Sequence, residues 1–271
     1  MKHSQKIAIL GGGNLGIAIA EGLLKSNSIP AGNISMTRRR PELLAHLKNK
    51  GIHVSSDNKQ AASNVDIILL TVKPHQAETV LKEIKSSLSK GKQVLVSAVT
   101  GYSIAQISGI AGEKCPVVRI MPNTAVAIGE SVTCMACTPG FTKAGIEVEE
   151  FLSALGKTLM VTEELMEAAT VLGACGIAFA LRFLRAMTQG GIEIGFSAET
   201  AQYIAAQTLR GAAGLILENG QHPEREIDKV TTPMGITISG LNEMEHNGFS
   251  SSLIKGLLTS YNKIAATKEK K

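Results

Sequence analysis

Three stretches of this 271-residue chain carry residue types at spacings that could do chemistry. The first is Gly11, Gly13 and Gly16, in G-x-G-x-x-G spacing between the apolar Ile7-Ala8-Ile9-Leu10 and the Ala/Ile/Leu-rich run from Ile17 to Leu24. Between a buried strand and a helix, each glycine has a task. The first makes the tight turn, the second lets a pyrophosphate approach the backbone, and the third lets the helix pack on the strand. Asn14 and Leu15 open the helix whose amides and positive dipole end would hold the phosphates. The second stretch is Val72-Lys73-Pro74-His75, at the carboxyl end of the apolar run that begins at Val65, where an open α/β sheet has its ligand crevice. The third is Thr231-Thr232-Pro233-Met234-Gly235-Ile236-Thr237. Its hydroxyls, proline and glycine open a helix, and such amides and hydroxyls suit a carboxylate. An N-capped helix start with no ligand has the same pattern.

Other chemistry is thinly represented. The crevice stretches hold no Asp-His or Lys-Asp pair arranged as a catalytic dyad. His75 reads as a helix-start residue and His222 as a loop hydrogen-bonder rather than as proton donors, while Lys73 suits an electrostatic role. Cys134 and Cys137 form a C-x-x-C, but Ser131 to Thr138 reads as a strand, on which residues three apart face opposite ways. With no second pair or neighbouring histidines for zinc, these two, with Cys115 and Cys175, read as ordinary reduced thiols, and no metal is expected.

The glycine turn needs a doubly wound sheet around it. Asn33 to Thr37 reads as the second strand, and Arg38-Arg39-Arg40 follow where NAD enzymes place an acid for the ribose hydroxyls. A threonine and arginines there suit a 2′-phosphate, so the pattern leans toward NADP over NAD; a solvated turn before a helix from Pro41 is the plainer alternative. Gly51 ends that helix, Ile52 to Val54 is a short strand, and Asp57-Asn58 can cap a short helix. Strands at Val65 to Val72, Gln93 to Ala98 and Val117 to Met121 alternate with helices ending near Leu88 and spanning Ile104 to Ile107. This alternation predicts an α/β N-terminal Rossmann domain with a mostly parallel sheet over residues 1–161. From Thr162 only helical periodicity remains, at Glu163 to Ala174, Ala178 to Gly190, Ala198 to Asn219, Ile236 to Asn247 and from Ser251. That predicts an all-helical C-terminal domain over 162–271, whose small residues permit close helix contact and suit dimerisation and substrate binding.

Composition narrows the partners. A net charge of +5 is spread along the chain, aromatics make up 3%, and Trp is absent, which argues against a base-stacking nucleic-acid platform and for anionic small molecules. The apolar stretch after Met1 to Lys6 is too short and glycine-broken for a signal sequence. Val171 to Leu181 stops at Arg182, short of a membrane span. A cytoplasmic protein is expected, with neither nucleic acid nor membrane as partner and with a frayed tail at Lys268 to Lys271.

Taken together, Val72-Lys73-Pro74-His75, Met121-Pro122-Asn123-Thr124, and His222-Pro223 followed by Asp228-Lys229-Val230-Thr231-Thr232-Pro233-Met234-Gly235-Ile236-Thr237 resemble the pyrroline-5-carboxylate reductase family, in order from Ile7 to about Leu258. The resemblance implies reduction of 1-pyrroline-5-carboxylate to L-proline, the last step of proline biosynthesis, usually with NADPH and with NADH left open. It also implies a helical domain interlocked in a homodimer, often with dimers assembled into rings.

Carried over by motif, the resemblance places Gly11, Gly13, Asn14 and Leu15 under the pyrophosphate and Arg38 at the 2′-phosphate. It places Asn58 near the adenosine, Val72, Lys73 and Pro74 beside the nicotinamide, and Asn123 at the nicotinamide ribose. Val230, Thr231, Thr232, Met234, Gly235, Ile236 and Thr237 would bind substrate in a loop supplied by the partner subunit, with Thr237 hydrogen-bonding the ring nitrogen as the catalytic residue. The family's Ser-Gly-Ser-Gly-Pro-Ala run is here Gly173-Ala174-Cys175-Gly176-Ile177-Ala178, and its Gly-Gly pair is Met234-Gly235. Two rival expectations follow. A non-catalytic NADPH-binding regulator would fit the altered run. A related imine or β-hydroxyacid dehydrogenase would want a catalytic lysine on the first helix of the helical domain, and Glu163 to Phe183 has none.

Overall fold

Alternating strands and helices wind the first part of the chain in the computed structural model, which describes residues 5–88, 93–112 and 115–268. The tail from Glu269 lies outside the described residues, as does the start of the chain before Gln5. The first half-sheet is built from β1 (Ile7–Leu10), α1 (Asn14–Ser26), β2 (Ile34–Thr37), α2 (Ala45–Lys48), β3 (His53–Ser55) and α3 (Asn58–Ala61). The second follows as β4 (Ile67–Leu70), α4 (Pro74–Ile84), β5 (Val94–Ser97), α5 (Ile104–Ala111) and β6 (Val117–Met121), and β7 (Ser131–Cys137), α6 (Thr142–Leu152) and β8 (Gly156–Met160) complete it.

The sheet order is β3-β2-β1-β4-β5-β6-β7-β8, with β1 to β6 parallel, so the order reverses between β1 and β4. Side chains along each strand alternate between two cores, as a pleat requires. Ile7, Ile9, Ile67 and Leu69 face one layer, and Ala8, Leu10, Ile68 and Leu70 face the other. Burial on both faces is why these strands read as unbroken apolar runs. β7 departs from the parallel pattern and pairs antiparallel with β6. Only residues 122–130, built around the turn Thr124–Ile128, join them, and a parallel crossover needs roughly a dozen residues or more. β8, parallel to β7, has no counterpart in the sequence reading; it is a half-exposed edge strand without a full apolar run.

Beyond β8 the chain is helical: α7 (Met166–Ala169), a π-turn at Thr170–Cys175, α8 (Gly176–Glu193), α9 (Ala198–Asn219), α10 (Pro223–Val230), α11 (Ile236–His246) and α12 (Phe249–Lys268). α10 has no counterpart among the helices expected from the sequence, and His222, expected as a loop hydrogen-bonder, is its N-cap. His222 Nδ1 accepts the Glu224 amide at 3.3 Å, and Pro223 takes the first helical position, where its missing N–H costs nothing. The run Glu163–Glu193 is, among the described residues, long and apolar enough by length and composition to cross a membrane, which the sequence reading did not expect of any stretch. Counting consecutive apolar residues ended it at Arg182, whereas uncharged Thr170, Gly173 and Gly176 keep the whole helical run apolar on average.

The chain divides into two compact units. One runs through Cys175 and takes in the last helix from Tyr261, and the other is Gly176–Ser260. Within the second unit only Thr188, Ala201 and Ala205 are buried. Ile194 is 77% exposed and Leu217 84%.

Candidate cofactor and substrate sites

At the switch point between β1 and β4 the three glycines separate by environment. Gly11 has φ +121°, and a Cβ there would lie 2.8 Å from the Thr71 carbonyl carbon, so both conformation and space demand glycine. Its carbonyl accepts the Thr71 hydroxyl at 2.7 Å, which ties the glycine turn to the end of β4. Gly16 sits in α1 where a Cβ would run into the Gly11 carbonyl oxygen and come within 2.9 Å of Thr71 Oγ1. Gly13 differs from both: it caps α1 in an extended conformation (φ −86°), and a Cβ there would meet nothing within 4 Å. No internal contact requires a glycine at this position. α1 begins with no side-chain cap and no acid in its first turn, leaving its leading amides, from Asn14 and Leu15 on, free for an anion.

Arg38 borders this loop. A Cβ on Gly12 would lie 3.1 Å from Arg38 Cβ, and the Arg38 amide bonds the Ser55 carbonyl at 3.1 Å. Its guanidinium makes no ion pair among the described residues. The Thr37 carbonyl receives the Gly12 amide at 2.7 Å, and the Thr37 hydroxyl donates to Asn58 Oδ1 at 2.6 Å. Asn58 Nδ2 in turn donates to Glu83 at 2.9 Å, so the Asn58 amide is committed inside the protein.

Val72 and Lys73 leave β4, Pro74 starts α4, and the Lys73 amide donates to Gln76 Oε1 at 3.3 Å. Asn123 follows β6 and is nearly buried. Its Nδ2 donates to the Gly173 carbonyl at 3.2 Å, its Oδ1 accepts the Ala125 amide at 2.9 Å, and its own amide donates to Ser131 Oγ at 3.1 Å. The glycine turn, Arg38, Val72 to Pro74 and Asn123 all leave the carboxyl ends of parallel strands and therefore open on one edge of the sheet. An open depression of about 550 Å³ along β3, lined by Ser35, His53, Ser55 and Gln60 among others, includes none of these residues.

In the helical unit, Val230 ends α10 and Thr231 Oγ1 donates back to the Asp228 carbonyl at 3.2 Å. The Gly235 amide then bonds the Thr232 carbonyl at 2.9 Å, with Pro233 second and Met234 third at φ +58°. That is a type II turn, whose third position prefers glycine. The only other non-glycine residues with positive φ among those described are Asn27 and Asn64, a residue type that tolerates it. Gly235 is required, because a Cβ would lie 2.7 Å from the Thr232 carbonyl oxygen. α11 starts behind this turn at Ile236 and Thr237 with no side-chain cap and no acid in its first turn. Met234 and Ile236 are almost fully exposed.

The four cysteines are free thiols, Cys115 and Cys134 buried and Cys137 and Cys175 half-buried. Burial pushes Cys115 up to about 11 and also raises Cys134 and Cys137, so their thiolate forms are scarce near neutral pH. A second cluster was not anticipated. Arg119, with 3% of its side chain exposed in the middle of β6, bonds Glu163 Oε1 at 2.8 Å and approaches Glu167 Oε1 at 3.6 Å. Its signal was available, since an arginine inside an otherwise apolar strand needs a buried partner.

Residues 163–267 match the pyrroline-5-carboxylate reductase dimerisation family, and residues 6–101 match the family of NADP oxidoreductases that are coenzyme F420-dependent. Pyrroline-5-carboxylate reductase 2 of Dictyostelium discoideum is 42% identical over 97% of this chain and 93% of its own length. Reductase 1 of the same organism is 44% identical, and there the chain spans half of the relative's length. The Plasmodium falciparum pyrroline carboxylate reductase, whose crystal structure has NADP bound, superposes with a TM-score of 0.89 at 25% identity, covering 98% of this chain and 99% of that one. With the glycine turn, the strand order and the turn before α11 all in place, the chain belongs to the pyrroline-5-carboxylate reductase family.

Proposed function

We infer that this chain reduces the cyclic imine 1-pyrroline-5-carboxylate to L-proline, as an oxidoreductase of proline biosynthesis. NADPH, when bound, supplies the hydride. The observation that carries the substrate reading is the uncapped amino end of α11 behind the Thr232–Gly235 turn, which suits the substrate's carboxylate. Val230, Thr231, Thr232, Met234, Gly235 and Ile236 line this pocket, and the Thr237 hydroxyl hydrogen-bonds the ring nitrogen. A protonated imine is already electrophilic, so the protein's contribution is position, water exclusion and a carboxylate anchor rather than a proton-transfer dyad.

The edge at the switch point fits the cofactor. Gly13 leaves open space where a pyrophosphate would approach, the amides of Asn14 and Leu15 hold it, and Arg38 takes the 2′-phosphate. Asn58, at the start of α3 and bonded to Thr37 at the end of β2, serves the adenosine side, Val72, Lys73 and Pro74 border the nicotinamide, and Asn123 orders the ribose end.

The helical unit supports a homodimer. Its large apolar side chains, Ile194, Leu217 and Tyr203 among them, stay exposed in the single chain, and covering each would contribute about 1.5–3 kcal/mol. The apolar run Glu163–Glu193, mostly unburied in the single chain, likewise calls for cover. On this reading the functional domains divide at 161/162, just after β8 ends at Met160, the dimer is interlocked and open to further assembly into rings, and the partner's loop completes each site. Reduced thiols agree with a cytoplasmic location.

The test is loss of reduced-nicotinamide absorbance when purified protein meets 1-pyrroline-5-carboxylate, with NADH run beside NADPH. Turnover to L-proline supports the reductase. NADPH binding without turnover would replace it with the regulatory reading.

A further inference from the structure

We propose that Arg119 is a positioning residue for the cofactor site, acting through Asn123. This inference rests on the placement of Asn123 at the nicotinamide ribose. Two points on the chain around β6 pin the stretch 163–173. At the first, Arg119 Nη1 donates to Glu163 Oε1 at 2.8 Å, and the same oxygen accepts the Ile104 amide at 2.6 Å. The second guanidinium arm reaches Glu167 Oε1 at 3.6 Å. At the second point, Asn123 Nδ2 holds the Gly173 carbonyl at 3.2 Å.

Gly173 belongs to the π-turn Thr170–Cys175, a distortion that often marks functional positions in helices. The Asn123 side chain is therefore oriented by a carbonyl whose own place depends on how the 163–173 stretch sits on β6. Apolar packing alone would tolerate sliding of that stretch. The rigid fork of Arg119, shared between carboxylates on successive turns, permits one register.

Charge at this depth is not an economical way to stabilise β6, because a well-packed apolar side chain would do as well or better. What the buried cluster adds is a single geometry. That geometry reaches Asn123, four residues further along the chain, through backbone on one side and through Gly173 on the other. Lys in place of Arg119 keeps the single positive charge between Glu163 and Glu167 and loses the fork, so it loosens the register without changing the net charge of the cluster.

The measurements are NADP+ dissociation constants by titration, thermal midpoints, and KM and kcat for NADPH, in the wild type, Arg119→Lys, Asn123→Ala and the double variant. Arg119→Lys and Asn123→Ala are each expected to weaken NADP+ binding roughly tenfold, about 1.4 kcal/mol, and the double variant no more than the worse single. For Arg119→Lys, KM for NADPH should rise by more than kcat falls. Multiplying effects, or an Arg119→Lys variant with a lowered midpoint but wild-type NADP+ affinity, would overturn the proposal. Should Arg119→Lys fail to fold, Glu163→Gln decides. It keeps the shape and the acceptor but not the charge, and several-fold weaker binding supports the proposal while wild-type affinity overturns it. A wild type that does not bind NADP+ removes the cofactor reading and this inference together, whereas a binding wild type with unaffected variants removes this inference alone.

Discussion

Gly13→Ala and Gly16→Ala add the same methyl group three residues apart and should fail in opposite ways. At Gly13 the methyl would meet no protein atom within 4 Å, and φ −86° is open to alanine. Removing glycine's freedom from the unfolded chain stabilises by about 0.4–1 kcal/mol, and alanine is a poorer helix cap than glycine by about half that or more, so the two nearly cancel. Folding stability should stay within about 0.5 kcal/mol of wild type. The same methyl enters the space assigned to the pyrophosphate, so NADPH affinity should fall at least roughly tenfold. At Gly16 alanine gains about 1 kcal/mol of helix propensity. Its Cβ, however, overlaps the Gly11 carbonyl oxygen and crowds Thr71 Oγ1 and Met36 Cε, at 2.9 and 3.1 Å. Overpacking against backbone that cannot swing aside costs about 3 kcal/mol or more, so the clash wins by about 2 kcal/mol. Urea unfolding and NADPH titration on both variants provide the check. A Gly13→Ala protein that binds NADPH like wild type, or that loses stability as Gly16→Ala does, would refute the division of roles.

Arg38→Ala should raise KM for NADPH at least roughly tenfold while shifting KM for NADH little, since only the former has a 2′-phosphate to lose; equal effects in steady-state kinetics would remove Arg38 from that site. Met234→Gly should stabilise the protein by about 0.5–1 kcal/mol, because relief of the left-handed backbone, about 1–2 kcal/mol, exceeds glycine's extra unfolded-state freedom, about 0.5–1 kcal/mol; denaturant unfolding reads the sign. Cys115, raised to about 11 from 9.0, binds its proton more tightly folded than unfolded. Its contribution to stability is therefore complete below pH 9 and fades as pH rises toward 11, by at most about 2.7 kcal/mol, and Cys115→Ala should flatten that alkaline decline in thermal midpoints. Leu217→Glu, at a side chain 84% exposed in the single chain, should leave helix content intact and shift sedimentation toward monomer; an unchanged dimer would place the interface elsewhere.

Much of the first unit could be read from local pattern because its strands are buried on both faces. Four apolar residues at Ile7–Leu10, then glycines, then an apolar helix leave few alternatives, and Val117–Met121 falls where expected. α9 coincides with Ala198 to Asn219 because Ser197 caps it, its oxygen accepting the Thr200 amide at 3.2 Å, and Gly220 ends it at φ +62°. The apolar stripe on that helix was legible too, but only Ala201 and Ala205 are buried, since the rest of its face has no cover within one chain. Periodicity reports that a face wants burial, not which molecule supplies it.

What escaped the sequence depends on partners distant along the chain. Nothing near Arg119 announces Glu163, which lies 44 residues away, and no spacing rule links Asn123 to Gly173, 50 residues away. Arg119 finds Glu163 because β6 is paired with β5 on one side and β7 on the other, so its side chain must find acceptors in the layer above or below, and Asn123, just past the end of β6, meets the same 163–173 stretch. The turn before α11 was half legible: the hydroxyls, proline and glycine marked a helix start, yet methionine at 234 gave no hint of the positive φ that makes the turn type II. Gly235 settles that geometry, because its amide closes the turn on Thr232 at 2.9 Å while its missing Cβ makes room for the same carbonyl. The residue that can be read and the residue that cannot are neighbours in one turn, and its strain falls on Met234, held at φ +58° in the position that prefers glycine.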